Sequence, residues 1–122
     1  MLEAHDYGAF PPGVLYQHGD IMELQDGDLQ RLDEAGVEEV WYWYACGSYE
    51  GCGQILMRRG SRWQLHYAGH CSCYGPTEDV VFGEGAESLE ALEATCTGEL
   101  LRCVAPLFDM ARRNEAQAEA TE

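Results

Sequence analysis

A dense aromatic run constrains the fold of this chain more than any other feature. It reads Glu-Val-Trp-Tyr-Trp-Tyr-Ala-Cys at residues 39–46, and aromatic and β-branched residues favour extended structure. A loop at residues 47–51 and a turn at residues 60–61 separate this run from two more strand-like segments, residues 52–59 and 62–70. The turn begins with glycine, as two-residue hairpin turns often do. The pattern predicts a three- to four-stranded antiparallel meander.

Helical patterns lie before and after the predicted meander. Asp26 is a plausible cap for a short helix near residues 27–35, and Ser88 can cap a second helix. A third helix is indicated by apolar residues at helical spacing, and Pro106 is expected to kink or divide it. These apolar residues are Leu100, Val104, Leu107, Phe108 and Ala111. Together the patterns predict an α+β fold in which helices pack on one face of the sheet.

One domain accounts for most of the 122 residues, a length close to the commonest domain size. Glycine and proline are frequent in residues 1–13, which predicts an irregular N-terminal arm. Residues 14–114 form the expected α+β domain. Residues 115–122 carry no large apolar side chain and are expected to be a frayed acidic tail.

The charge of the chain restricts what it can bind. There are 22 acidic residues and seven arginines, with no lysine, so the formal net charge is −15. Binding to nucleic acid or to anionic membranes depends on Lys and Arg, and this composition argues against both. The charge favours a protein partner with a basic surface. The alternative is that the charge serves solubility alone.

The sequence also carries an expectation about location. No apolar run approaches the roughly 20 residues that span a membrane. Residues 1–10 hold two acids and no arginine, unlike a signal peptide. We therefore expect a cytoplasmic protein, in which the six cysteines are reduced thiols, metal ligands or core residues rather than a disulfide framework.

Strand register predicts where four of the cysteines lie. If residues 47–51 are a loop, Cys46 faces Cys52 across the first hairpin. With the second turn at residues 60–61, Leu56 faces Leu65 and Cys52 faces Gly69. Paired residues share a face of the sheet, and a continuing third strand would add two more cysteines to that face. The candidate zinc ligands are Cys46, Cys52, Cys71 and Cys73.

The chemistry of this set suits zinc, because structural zinc is tetrahedral and favours thiolates. The spacing, C-x5-C followed by C-x-C, departs from the usual pair of C-x2-C knuckles. A disulfide between Cys46 and Cys52 and a set of free thiols are the alternatives. A protein without any cofactor is the leading prediction, with zinc as the alternative.

The same sheet end is the candidate binding site. The loop at residues 47–51 and the segment at residues 69–76 should lie side by side, where glycine permits close approach and tyrosine offers flat contact surface. The alternative interpretation is that both segments are tight connections that tyrosines hold in place, without a binding role. The candidate binding residues are Tyr49, Glu50, His70, Cys71, Cys73 and Tyr74.

Catalytic signatures are scarce. The chain has no Ser-His-Asp order, no glycine-rich phosphate loop and no H-E-x-x-H helix. Cys71 or Cys73 as a nucleophile is an alternative, since a thiolate with a lowered pKa can attack. His70 neighbours Cys71 but points to the opposite face of a strand, which makes it a poor activating base. The balance favours a non-enzymatic protein.

Two motifs resemble a pattern in small, largely uncharacterised proteins of bacteriophages and bacteria. They are Ser-Tyr-Glu-Gly-Cys-Gly at residues 48–53 and His-Cys-Ser-Cys-Tyr-Gly-Pro at residues 70–76, with Trp63 opening the strand between them. The resemblance covers about residues 40–76. It implies a phage or mobile-element accessory protein acting in the cytoplasm of a bacterial host cell, and it directs attention to His70, Cys71, Cys73 and Tyr74.

The leading hypothesis is a small acidic binding protein that engages a host or phage protein. Nucleic-acid charge mimicry is one mechanism, with the acids of residues 20–39 and 78–99 in place of phosphates. A zinc- or thiol-site protein, structural or catalytic, is the first alternative. A virion structural component is the second.

Overall fold

The computed structural model describes residues 2–15, 17, 19–47, 50–71, 76–78 and 80–120. Its elements follow the order β1 (Glu3–Asp6), β2 (Asp20–Ile21), α1 (Asp26–Glu34), β3 (Glu39–Gly47), β4 (Glu50–Arg59), β5 (Arg62–Tyr67), β6 (His70–Cys71), α2 (Leu89–Glu93) and α3 (Gly98–Ala120). The predicted α+β class is confirmed.

One mixed, mostly antiparallel sheet contains all of these strands. Its order is β1-β3-β4-β5, with β2 on the free end of β3 and β6 on the free end of β4. The predicted meander is β3-β4-β5, and each of its pairs is antiparallel. β1 pairs with β3 in parallel, so the arm predicted to be irregular contributes a strand.

β3 is the central strand, and both of its faces are buried from Glu39 to Ala45. Trp41 and Trp43 point to one face, where they pack with Leu56 and Trp63. We call this the tryptophan core. Tyr42 and Tyr44 point to the other face, the tyrosine core. The aromatic run is therefore continuous rather than alternating because neither face of β3 meets water.

The helices divide between the two faces. α2, α3 and the segment between them cover the tryptophan core with Leu89, Cys96, Val104, Leu107, Phe108 and Ala111. The prediction of helices on one face holds for this pair. α1 instead packs Leu32 into the tyrosine core, because the second face of β3 is equally apolar and must be covered as well.

The first hairpin differs from the predicted register by one residue. Ala45 pairs with Cys52, and the ladder continues to Gly47 and Glu50 with two residues between them. The predicted loop at residues 47–51 is wrong because its glycines lie in strands. Gly53 also lies in a strand, where it allows β4 to approach β3 closely. A Cβ at this position would overlap the carbonyl oxygen of Trp43.

The second hairpin has the predicted register. Leu56 pairs with Leu65, and Arg59 with Arg62. Gly60 takes the left-handed conformation that the turn requires, with φ of 62°. β6 continues this register after a break at Ala68 and Gly69, because Gly51 pairs with His70.

The last helix is longer and less interrupted than predicted. α3 runs from Gly98 to Ala120 as one helix, with Pro106 inside it. The tail predicted to fray from residue 115 is therefore helical as far as Ala120. Among the described residues, no helix combines the length and apolar character needed to cross a membrane.

Candidate binding site

The described parts of the two predicted binding segments lie side by side at one end of the sheet. Glu50 pairs with Gly47 of β3 and with Cys71 of β6, and Gly51 pairs with His70. The strand ladder thus brings Glu50, His70 and Cys71 together. Tyr49, Cys73 and Tyr74 lie outside the described residues. The binding role of all six residues stays a prediction.

Cys46 and Cys52 lie on opposite faces of the sheet. Cys52 packs against the tryptophan core and Cys46 against the tyrosine core. The shared face predicted for them is wrong, as is their predicted pairing, and both are free thiols. In the described part of the chain, no three His, Cys, Asp or Glu side chains are grouped to hold a metal ion. The four-cysteine zinc hypothesis loses the shared face on which it rests.

The segment that follows the second motif is anchored to the rest of the fold. Thr77 is 1% exposed; its hydroxyl donates to Asp28 at 2.6 Å and accepts from Arg31 at 2.6 Å. The carbonyl of Pro76 lies 3.1 Å from Nε2 of His66. The motif at residues 70–76 therefore starts in a paired strand and ends in a buried polar cluster.

A cavity of about 240 Å³ adjoins Glu50 at the same sheet end. Trp43, Gln54 and Tyr67 form one row across the three strands, because Gln54 pairs with both of the others. α3 supplies the opposite wall. The lining residues are Val14, Trp43, Glu50, Gly51, Cys52, Gln54, Tyr67, Glu99 and Cys103.

The two thiols in the cavity are neutral at pH 7. Burial raises the pKa of the Cys52 thiol, and nearby Cys46 and Cys103 raise it further. Burial also raises the pKa of Cys103; Glu99 adds to the rise and Arg102 opposes it. A reactive thiolate needs the opposite shift, so these cysteines are poor nucleophiles.

Tyr67 forms the exposed rim of the cavity. It is 60% exposed, and its ring lies over Gly69, where a Cβ would overlap it. Burial raises the pKa of Tyr67, and Cys52, Cys103 and Glu50 raise it further. Of these three neighbours, Glu50 carries the negative charge at neutral pH.

Most of the residues that line this cavity were not predicted as site residues from the sequence. The one-residue slip placed Trp43 on the wrong face, away from Cys52. Glu99 and Cys103 lie about 50 residues away along the chain, so no local pattern connects them with β4. Their spacing was a usable signal, because residues four apart lie on the same side of a helix.

The acids of residues 20–39 have two different roles. Asp28 and Glu39 are buried, at 7% and 5% exposure. Asp26, Asp33 and Glu34 lie along the outer side of α1. The acids in this range that face solvent are Asp20, Glu23, Asp26, Asp33, Glu34 and Glu38.

Among the described residues, ion pairs within the fold hold Arg31, Arg58 and Arg112. Arg58 bonds Glu39 at 3.0 Å and Glu38 at 3.3 Å. Arg112 contacts Glu93 and Asp109, each at 2.7 Å. Arg31 lies 3.4 Å from Asp28 and 3.9 Å from Glu78. These guanidinium groups serve the fold.

Comparison with known proteins adds no relative. No protein-family model, no curated protein and no solved structure matches this chain.

Proposed function

We propose that this chain is a small, acidic, non-enzymatic binding protein that engages the basic surface of a protein partner. The exposed acids of α1 and its flanking residues make the contact. They take the place of nucleic-acid phosphates on a partner that itself binds nucleic acid. The resemblance of the two motifs supports an origin in a phage or mobile element and a site of action in a bacterial cell.

The distribution of charge carries this proposal. Six acids of residues 20–39 face solvent, whereas the only arginine in that range, Arg31, is held by Asp28, Thr77 and Glu78. A protein surface with one sign of charge attracts the opposite sign over roughly a Debye length, about 10 Å at 0.1 M salt. A basic protein groove is the natural complement.

Partner capture tests the proposal. The immobilised chain is incubated with a bacterial lysate, and bound proteins are identified at low and high salt. A variant with Asp26→Asn, Asp33→Asn and Glu34→Gln should lower recovery of the specific partner about tenfold, since each exposed charge contributes about 0.5 kcal/mol.

The matched control removes the same charge from residues 78–99, which this proposal leaves outside the contact, with Glu84→Gln, Glu87→Gln and Glu90→Gln, all exposed. It should retain most of the binding. Equal losses in both variants would reduce the interaction to nonspecific attraction by net charge, which contradicts a contact made by α1.

A thiol site is the second candidate, because Cys52 and Cys103 line one cavity. It places a soft ligand at that pair rather than at the zinc set expected from the motifs. Replacing Cys52 and Cys103 with alanine should abolish binding or activity if the thiols are functional, and should leave partner capture unchanged if the acidic surface acts alone.

A further inference from the structure

The size of the cavity beside Glu50 restricts what can enter it. Its volume is about 240 Å³, below the roughly 300–1,000 Å³ of sites that hold whole small molecules. A single long side chain from a partner is of the right order. The cavity opens at the rim formed by Tyr67, which is 60% exposed, so such a side chain can reach it from outside.

The charges around the cavity select a cation. Glu50 and Glu99 line it from β4 and from α3. Arg102 is the basic group that acts on Cys103, and its effect is smaller than that of Glu99. Cys52 and Cys103 are neutral thiols. A cationic group would meet two carboxylates there, whereas an anionic group would be repelled by both.

The shape and the polar groups favour a guanidinium over an ammonium. Trp43 and Tyr67 present aromatic surface to the cavity, and planar guanidinium groups stack on aromatic rings. Gln54 is 8% exposed and lines the cavity. Among the described residues, no hydrogen bond engages its side-chain amide. Its carbonyl oxygen and the two carboxylates offer acceptors for the five N–H donors of an arginine.

We propose that this cavity is an anchoring pocket for one arginine side chain of the basic partner. The proposal rests on the proposed function and deepens it. The acidic surface of α1 attracts the partner, and the pocket fixes its position by taking a single residue. Glu50 and Glu99 bind the guanidinium, Trp43 and Tyr67 hold its planar face, and Gln54 accepts a hydrogen bond.

Nuclear magnetic resonance with a defined probe tests the pocket. N-acetyl-arginine amide is titrated into the isotopically labelled chain, and N-acetyl-citrulline amide, which has the same shape without the charge, is the control ligand. The arginine probe should shift the indole N–H signal of Trp43 and the backbone signals of Gly51 and Cys103. The citrulline probe should leave them in place.

Paired variants localise the effect. Glu50→Gln with Glu99→Gln should weaken binding of the arginine probe at least about tenfold, given the strength of charge-assisted hydrogen bonds. Glu84→Gln with Glu87→Gln removes the same charge and should bind normally. Unchanged signals outside the cavity show that both variants fold.

Three results would contradict the proposed arginine pocket. They are equal chemical shift changes with both probes, shift changes spread over all exposed acids, or full binding by the variant with Glu50→Gln and Glu99→Gln. The outcome is separable from the proposed function. Salt-sensitive partner capture that survives in the Glu50 and Glu99 variant removes the pocket and leaves the acidic surface of α1 in place.

Discussion

Asp28 and Glu39 belong by sequence to the acidic segment, yet the fold uses both internally. Glu39 accepts from Nε1 of Trp41 at 2.7 Å and from Nε of Arg58 at 3.0 Å. Asp28 accepts from Thr77 at 2.6 Å and from the backbone of Gln25 at 3.3 Å. A buried carboxylate is stable only when it is paired and hydrogen-bonded. Asp28 and Glu39 therefore stabilise the fold around the acidic segment and do not belong to its solvent-exposed acids.

Glu39→Ala should lower the free energy of unfolding by about 3 kcal/mol, because it leaves the partly buried Arg58 without its main partner. Glu38→Ala is the matched control. Glu38 bonds the same arginine, but its side chain is 53% exposed, so we expect a loss of about 0.5 kcal/mol. Urea unfolding of both variants measures the difference. Similar losses would contradict a larger contribution from the buried Glu39–Arg58 pair than from the exposed Glu38–Arg58 pair.

Alkaline pH should destabilise the protein through its partly buried thiols, Cys52 and Cys103. The folded pKa values of Cys52 and Cys103 are raised, so above about pH 8.5 the unfolded chain releases protons that the folded chain keeps. The contribution of these thiols to the free energy of unfolding is therefore fully present below that pH. It is lost as the pH rises towards the folded pKa values. The chain has no lysine, but burial also raises the pKa values of Cys96, Tyr42, Tyr44 and Tyr67, and these groups add to the decline.

Urea unfolding under reducing conditions, from about pH 7 to about pH 10, measures this decline. Replacement of both Cys52 and Cys103 by alanine should make the decline shallower, and the part that remains belongs to the other groups with raised pKa values. A stability that is constant or rising across this range would contradict the raised pKa values.

At the scale of elements, the first hairpin determines which residues meet. Gly47 and Gly53 occupy strand positions where backbones come close: Gly47 lies against Gly19, and Gly53 against Trp43. This close approach lets the ladder run to Glu50 and sets the register. It places Cys52 with Trp43 and away from Cys46.

Gly53→Ala should destabilise the fold by about 2 kcal/mol or more, because the added Cβ overlaps the backbone of β3. Gly27→Ala is the control within α1, where nothing lies within 4 Å of an added Cβ. It should raise stability by about 0.5 kcal/mol, since alanine favours helix and restricts the unfolded chain. Thermal unfolding distinguishes the two, and a tolerated Gly53→Ala would contradict the hairpin register.

The sequence predicted the meander, the second hairpin and the α+β class because these depend on local composition and on one well-marked turn. It did not predict β1, whose parallel pairing with β3 depends on residues more than 30 positions away. The first register failed because glycine signals both a loop and a close strand contact. The candidate site followed the same division: Glu50 was identified, whereas Glu99 and Cys103 required the packing of α3.

At the scale of the molecule, several arginines are paired with acids, whereas the acids along α1 face solvent. Arg31, Arg58 and Arg112 are held by acids within the fold. The exposed acids of α1 remain available to a partner. Under the proposed function, part of the net charge of −15 belongs to a binding surface.

Competition with double-stranded DNA tests the acidic surface most directly. The partner recovered by capture is purified and its affinity for this chain is measured with increasing DNA and with increasing salt. We predict that DNA displaces the chain and that affinity falls at least about tenfold between about 50 mM and about 500 mM salt. Binding that withstands both DNA and salt would contradict an interface made by exposed carboxylates on a basic groove.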